Sequence, residues 1–257
     1  MNDKAVQLQG VSHHFGSVEV IRDLSLEVSH GEFVAVVGPS GGGKTTLLNL
    51  ISGFLEPSSG TITRRGESRM VHQQDGLYPW LTARENIALG LRTRRGTAGR
   101  PGRLEAMLDL IGLNGFADHY PHQLSGGMRQ RVELARALAG EAEILLLDEP
   151  FSALDYLTRV RLRGELERLI RERPRTVILV THHLEEAAQL ADRVVLLTGR
   201  PARIHSVLEI PRPRPRRPTD PAVVEAVERL LGELGADPET SAIIPPDHVA
   251  RADGGGR

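Results

Sequence analysis

The chain has no cysteine, almost no lysine and hardly any net charge. The absence of cysteine excludes a disulfide framework, thiol chemistry and cysteine-ligated metal sites. A formal net charge of -1 argues against a dedicated nucleic-acid-binding protein, which would show a strong basic excess. We therefore expect no nucleic-acid partner.

Long apolar runs are also missing. A membrane-spanning helix needs about 20 consecutive apolar residues, and the richest stretch, residues 47–55, is interrupted by Asn49, Ser52 and Gly53. The first four residues, 1–4, lack the apolar segment of a signal peptide. We expect a cytoplasmic protein, so any membrane pore that works with it must come from another polypeptide.

A glycine-rich segment, residues 38–45, matches the pattern G-x-x-x-x-G-K-[ST] of loops that bind nucleotide phosphates. An apolar, β-branched run precedes it and a helical pattern follows it, as such a loop requires. Lys44 is expected to reach the β- and γ-phosphates, and the Thr45 hydroxyl to bind Mg²⁺. The other contacts to ATP are assigned to Gly38, Pro39, Ser40, Gly41, Gly42, Gly43 and Thr46.

Two adjacent carboxylates end a second apolar strand, at Asp148 and Glu149. An acid at a strand end beside a phosphate loop typically holds Mg²⁺, which is the role we assign to Asp148. Glu149, one residue further, can face the γ-phosphate and act as general base for the attacking water. The intact phosphate loop favours this interpretation over a strand that simply reaches solvent through acidic residues.

Another segment, residues 124–130, opens a helix with Ser125, Gly126 and Gly127. Backbone N–H groups at a helix start form an anion site, so these residues are a second candidate site for phosphate. One ATP molecule needs only the first loop. A chain with both segments therefore looks like half of an assembly in which ATP lies between two copies arranged head to tail.

In this combination and order, the motifs resemble those of the ATPase subunits of ABC transporters, over roughly residues 5–235. The resemblance implies an α/β fold with a P-loop NTPase core on a parallel sheet, an antiparallel β subdomain and an inserted α-helical subdomain that carries the Ser125 segment. It also implies that ATP and Mg²⁺ are the cofactors. A P-loop kinase or GTPase would not need the Ser125 segment. An ABC ATPase acting on ribosomes or DNA would usually carry two cassettes or a coiled coil.

The same resemblance implies roles for four further residues. Phe15 would stack on the adenine ring, although a core phenylalanine on the first hairpin would give the same pattern. Gln73, in the Q-loop, would contact Mg²⁺ or the attacking water and sense a membrane partner. The neighbouring Gln74 is the alternative, and strand register favours Gln73. Asp155, in the D-loop (residues 152–155), would link the two sites of the dimer, and His182 would hydrogen-bond the γ-phosphate.

Two positions depart from the family pattern. Met128 stands where the family often has glutamine, and it should be tolerated because Ser125 and the glycine N–H groups bind the phosphate. His183 stands where the family usually has aspartate, directly after His182. The histidine at position 183 puts in doubt only a minor supporting role of that position, and the assignment of His182 stays in place.

Several segments are similar to the nitrate, sulfonate and taurine branch of importers: residues 78–82, 120–123, 148–155 and 210–214. This likeness implies uptake of a small anionic solute through a separate transmembrane permease, with a solute-binding protein as an indirect partner. The ATPase would then lie on the inner face of the cell membrane. Trp80 follows the Q-loop, where this family receives the permease. Packing of Trp80 inside the helical subdomain is the alternative.

The predicted organisation is discontinuous. Residues 1–75 and 140–210 form the nucleotide-binding core, and residues 76–139 form the helical subdomain, with a solvated Arg/Gly-rich loop. Residues 211–257 begin with a Pro/Arg segment, which is either a solvated linker or a contact for anionic headgroups or acidic loops. A helix then starts at Asp220, before a disordered end. The helix is expected to dock through Val224, Val227, Leu231 and Leu234.

Overall fold

Two main sheets and seven helices were identified in a computed structural model, which describes residues 3–73, 76–93, 96 and 97, and 102–235. The strands are β1 (Lys4–Phe15), β2 (Val18–Ser29), β3 (Phe33–Val37), β4 (Ser59–Arg64), β5 (Ser68–Val71), β6 (Arg92–Thr93), β7 (Gly96–Thr97), β8 (Ile144–Asp148), β9 (Thr176–Val180), β10 (Arg193–Leu197) and β11 (Ile204–Glu209). The α-helices are α1 (Lys44–Ser52), α2 (Ala83–Gly90), α3 (Arg103–Ile111), α4 (Gly126–Ala139), α5 (Tyr156–Glu172), α6 (Leu184–Leu190) and α7 (Pro221–Glu233). Gln74 and the end for which disorder was predicted, from residue 236, lie outside the described residues.

The larger sheet has the strand order β11-β10-β3-β9-β8-β5. All neighbours are parallel except β11, which pairs antiparallel with β10 at the edge. The central strands β3, β8 and β9 are buried along their whole length, as expected for parallel strands covered on both faces. Their carboxyl ends meet at one edge of the sheet, which is where ligands bind in open α/β folds.

The smaller sheet is antiparallel, in the order β2-β1-β4. Its β1–β2 hairpin brings Phe15 opposite Val18. Alternate residues of β3 point into two separate apolar cores: Val34 and Val36 pack with the smaller sheet and α1, whereas Phe33 packs with the helices on the other face. The strand β3 therefore fixes the phosphate loop between two rigid layers.

The helices α2, α3 and α4 pack together beside the larger sheet. A capping box between Thr82 and Glu85 starts α2, because each side chain satisfies a free backbone N–H of the first turn. Buried Asn86 holds the preceding loop by donating to the carbonyls of Tyr78 and Leu81. The boundaries given above for the core and the helical subdomain stay a prediction.

Two arginines tie the Pro/Arg segment to the core, whereas the other residues of 211–218 are exposed, and the role of the segment as a linker stays a prediction. Arg216 is only 3% exposed. Its guanidinium donates to five carbonyl oxygens, three of them at the end of α6, on Ala188, Gln189 and Ala191. Arg214 forms a two-point contact with the Asp192 carboxylate. Arginine suits this position because its planar group offers five donors to unpaired carbonyls.

The helix predicted after Asp220 is present as α7, and its docking face is only partly the predicted one. Val227 packs partly buried against the core as predicted, and Val223, Ala226 and Leu230 are buried, whereas Val224 and Leu234 are exposed. A shift of one residue rotates a helix face by about 100°. The predicted and the buried residues both have helical spacing. The prediction used only large apolar residues, so it did not include the buried Ala226.

Candidate nucleotide site

The phosphate loop joins β3 to α1 and has a backbone that only glycine tolerates at two positions. Gly38 has a φ of 153°, and a Cβ there would lie 2.8 Å from the carbonyl oxygen of Leu197. A Cβ on Gly42 would lie 2.9 Å from the carbonyl oxygen of Pro39. Glycine is therefore required at both positions, because a side chain at Gly38 would collide with the backbone of β10 and one at Gly42 would collide with the loop backbone at Pro39.

Lys44 is the first residue of α1 and is only 8% exposed. Its Nζ donates to the carbonyl oxygens of Gly38 and Pro39, both at 2.9 Å. Burial lowers the pKa of Lys44, and the nearby carboxylates of Glu149 and Asp148 oppose that shift. The side chain thus places a cation inside the loop, within reach of an anion bound there.

Asp148 ends β8 and is buried. In the described part of the chain, neither of its carboxylate oxygens has a hydrogen-bond partner that meets distance and angle limits. Burial raises the pKa of Asp148, the charge of Glu149 raises it further, and the Thr45 hydroxyl lowers it. Two unsatisfied buried oxygens beside a hydroxyl fit a bound cation, because buried acceptors without partners are costly.

Glu149 follows Asp148 in a left-handed conformation, with a φ of 48°. This conformation is strained for a non-glycine residue and is typical of functional sites. The turn aims its carboxylate at two other candidate residues. Oε1 lies 3.1 Å from Nδ1 of His182, and Oε2 accepts from Nε2 of Gln73 at 3.4 Å. All three predicted catalytic side chains are therefore together.

A cleft of about 410 Å³ contains the phosphate loop from Ser40 to Thr46, together with Gln73, Glu149 and Phe15. Phe15 is 51% exposed, so the interpretation as a core phenylalanine is wrong. The cleft is also lined by Val18, Val20 and Arg200, which sequence reasoning missed. Nothing in the sequence indicated that these residues line the cleft, because the two valines lie in a strand and Arg200 follows a later strand.

Ser125 and Asp155 do not line this cleft. Ser125 is the N-cap of α4, where its Oγ accepts from the backbone N–H of Met128. Asp155 is the N-cap of α5 and accepts from Thr158, and these hydrogen bonds lower the pKa of Asp155. Gly126 and Gly127 follow Ser125 in the first turn of α4. These two helix starts are therefore exposed and lie outside the cleft of the same chain.

Two buried residues of α4 hold the loops of Glu149 and Gln73, and neither was predicted. Gln130 donates to the carbonyl of Glu149 at 2.9 Å and accepts from the backbone N–H of Ala153 at 3.0 Å. Glu133 accepts from the backbone N–H groups of His72 and Gly76, on either side of the Q-loop, and burial raises its pKa. Hydrogen bonds thus connect the helix that begins at Ser125 to the loop of Glu149 and to the loop of Gln73.

Trp80 is 68% exposed, so the alternative of a tryptophan packed inside the helical subdomain is wrong. Its ring centroid lies 5.4 Å from that of Tyr78, which is also exposed.

Within the described ranges, no helix has both the length and the apolar character needed to cross a bilayer. The same residues contain no group of three or more His, Asp or Glu side chains arranged to hold a metal.

Known sequences match this chain over most of its length. The family model described as ABC transporter matches residues 21–152. The aliphatic sulfonates import ATP-binding protein SsuB 1 of Rhodococcus jostii (strain RHA1) is 45% identical over 245 residues, which cover 93% of this chain and 97% of that protein. The nitrate import ATP-binding protein NrtC of Synechococcus elongatus is 47% identical over 214 residues, which cover 79% of this chain and 32% of that protein. The taurine import ATP-binding protein TauB of Jannaschia sp. (strain CCS1) is 42% identical over 205 residues, 76% of each chain.

Solved structures match as well. A dimeric bacterial ABC transporter cassette, MJ0796, has a TM-score of 0.72 at 32% identity and covers 81% of this chain and 100% of its own. The same cassette in a dimeric post-hydrolysis state, bound to ADP and Pi, gives the same values. This match confirms the predicted α/β fold with a P-loop NTPase core.

Proposed function

The chain belongs to the ABC transporter family, and from that premise we propose that it hydrolyses ATP to drive uptake of a small anionic solute through a separate permease. The observation that carries the ATPase assignment is the contact of Glu149 with Gln73 and His182 in the cleft of the phosphate loop. The importer assignment is supported by the relatives named for import of aliphatic sulfonates, nitrate and taurine.

Hydrolysis follows from the arrangement of these side chains. The loop N–H groups and Lys44 bind and orient the phosphates. Glu149 accepts a proton from a water molecule, whose oxygen forms a bond to the γ-phosphorus while the bond from that phosphorus to the ADP oxygen breaks. His182, beside Glu149, donates a hydrogen bond to the γ-phosphate oxygens as their charge develops.

Mg²⁺ fits the oxygens at the base of the loop. Thr45, Asp148 and Gln73 would hold the ion, which would neutralise charge on the phosphate oxygens when bound. The unsatisfied oxygens of buried Asp148 support this role. Magnesium needs only one or two carboxylates when phosphates supply the rest, which agrees with the lack of a larger acidic cluster among the described residues.

The second half of each ATP site comes from another copy of the chain. Ser125, Gly126 and Gly127 open α4 and do not line the cleft of their own chain, which supports a contact with the ATP held by a partner. A two-fold dimer then contains two equal sites, each made from both chains. Asp155 lies at the start of α5, next to the loop held by Gln130, where it can connect the two sites.

The membrane partner is expected to contact the exposed aromatic side chains of Tyr78 and Trp80. Tryptophan and tyrosine are enriched where proteins meet, and both follow the loop held by Glu133. Binding of the permease there would place the ATPase on the inner face of the membrane. A solute-binding protein would then act on the permease and not directly on this chain.

A mixing experiment tests the composite site. Lys44→Ala removes the cation from both sites of a homodimer, and Ser125→Arg blocks both with a bulky side chain. In a mixed dimer one site receives both lesions and the other receives neither. Random pairing makes half of the dimers mixed, so about a quarter of all sites should trap ATP with vanadate. If mixing restores no trapping, ATP is not shared between two copies.

The importer assignment is tested by growth. A strain that lacks this chain should fail to use at least one of three solutes as its sole source of sulfur or nitrogen: an aliphatic sulfonate, taurine or nitrate. The wild-type chain should restore growth, and Glu149→Gln should not. Unchanged growth of the deletion strain on all three solutes would refute this part of the proposal, while leaving the ATPase assignment intact.

A further inference from the structure

His183 and Arg159 connect the loop of His182 with the D-loop. Nη1 of Arg159, on α5, lies 3.2 Å from Nε2 of His183, and Nη2 of the same guanidinium donates to the carbonyl oxygen of Leu154 at 3.1 Å. Leu154 immediately precedes Asp155 in the D-loop. One guanidinium therefore spans the two loops, with a histidine at one end and a backbone carbonyl at the other.

The contact with Arg159 determines the protonation state of His183. A guanidinium has five donors and no acceptor, and it stays charged at all relevant pH values. Nε2 of His183 must therefore accept, which leaves the ring neutral with its proton on Nδ1. Burial lowers the pKa of His183, and the charges of His182 and Arg159 lower it further, against the opposing effect of Glu186 and Glu149.

A buried frame fixes both partners. The Thr181 hydroxyl donates to Oε2 of Glu186 at 2.8 Å and accepts from the backbone N–H of His183 at 3.0 Å. Glu186 is almost completely buried and forms an ion pair with Nε of Arg159 at 3.9 Å. A proton on His183 would add a second cation beside Arg159 and remove the acceptor of that guanidinium.

The frame also contacts a catalytic side chain. The ring centroids of His182 and His183 lie 4.0 Å apart, and His182 contacts Glu149. We infer that neutral His183 is a positioning residue: by accepting from Arg159, it holds the His182 loop and the D-loop in one arrangement, so that His182 and Asp155 are placed together. This inference rests on the proposed function and adds to it a residue that does not itself touch ATP.

Two substitutions separate this role from general stability. His183→Gln keeps an acceptor near the position of Nε2 but cannot titrate, whereas His183→Ala removes the acceptor. At pH 7.5 we expect His183→Ala to lower kcat by between about tenfold and a hundredfold, the effect of misplacing a catalytic group by about 1 Å. KM for ATP should not change, because the phosphate loop is untouched. His183→Gln should stay within about twofold of wild type, which a loss of packing alone would not explain.

The pH profile provides the second readout. Since the pKa of His183 is lowered from its ordinary value of about 6.5, the wild-type kcat should decline relative to that of His183→Gln only as pH falls below that value and through the lowered pKa, because protonation breaks the contact with Arg159. Histidine 205 lies on the edge strand β11, so His205→Gln is the matched control and should keep the wild-type profile. Wild-type kcat in His183→Ala, or an unchanged acid limb in His183→Gln, would overturn the inference. Absence of ATPase activity in the wild-type protein would instead overturn the proposed function.

Discussion

Replacement of Glu149 by glutamine should stop hydrolysis while leaving ATP binding intact. The amide has the shape of the carboxylate but cannot take a proton from water. Its oxygen can still accept from Gln73, and its nitrogen can donate to Nδ1 of His182, so both present contacts can be kept. The variant therefore isolates the proton transfer from the geometry around it.

The size of the effect follows from the role of a general base. A positioned base typically contributes 10²–10⁴-fold, which corresponds to about 2.7–5.4 kcal/mol of activation free energy at 1.36 kcal/mol per tenfold. Because glutamine can keep both contacts of Glu149, loss of the proton acceptor alone should lower kcat by this 10²–10⁴-fold. KM for ATP should change by less than about threefold.

The assay is phosphate release from purified protein at saturating Mg-ATP, with light scattering to follow association. Glu149→Gln should accumulate a dimer in the presence of ATP, because the bound nucleotide is not consumed. Glu185→Gln is the matched control, since Glu185 is an exposed glutamate in the first turn of α6. If Glu149→Gln hydrolyses ATP within about threefold of the wild-type rate, Glu149 is not the base.

Three further predictions concern the phosphate loop, the helix α4 and the Pro/Arg segment. Lys44→Ala should weaken ATP binding about 10- to 100-fold in a nucleotide titration, since a charge-assisted hydrogen bond contributes roughly 1.5–3 kcal/mol; unchanged affinity would contradict the loop assignment. Gln130→Ala should lower kcat at least about tenfold at constant ATP affinity, because Glu149 loses its backbone anchor; an unaffected kcat would remove that anchoring role. Arg216→Ala should lower the free energy of unfolding by on the order of 3 kcal/mol, as several buried carbonyls lose their donor, whereas exposed Arg217→Ala should have little effect in the same urea titration.

Local chemistry explains which parts of the site could be predicted. The phosphate loop, the two carboxylates and His182 each follow a buried strand, and the conformation they need is encoded within a few residues. Because parallel strands end at a common edge, their proximity also follows from the sequence pattern. One sheet thus brings them to a common edge.

The supporting contacts could not be predicted in this way. Gln130 and Glu133 lie one helical turn apart on α4 and reach two different loops, which depends on how α4 packs. Arg216 was expected in solvent because arginine is usually exposed, yet the carbonyls at the end of α6 give it partners. Both cases depend on unpaired backbone groups far away in sequence, and no local pattern marks them.

The near absence of lysine gives a final argument for the phosphate loop. Of the 32 basic residues, only Lys4 and Lys44 are lysines. At Lys44 the cation lies between two carbonyl oxygens at 2.9 Å, almost without exposure. A compact ammonium fits there as a point charge, whereas a planar guanidinium is larger and needs five partners. Lys44 is thus the one buried lysine in the described part of the chain, and its proposed contact with the phosphates suits a small cation on a flexible stem.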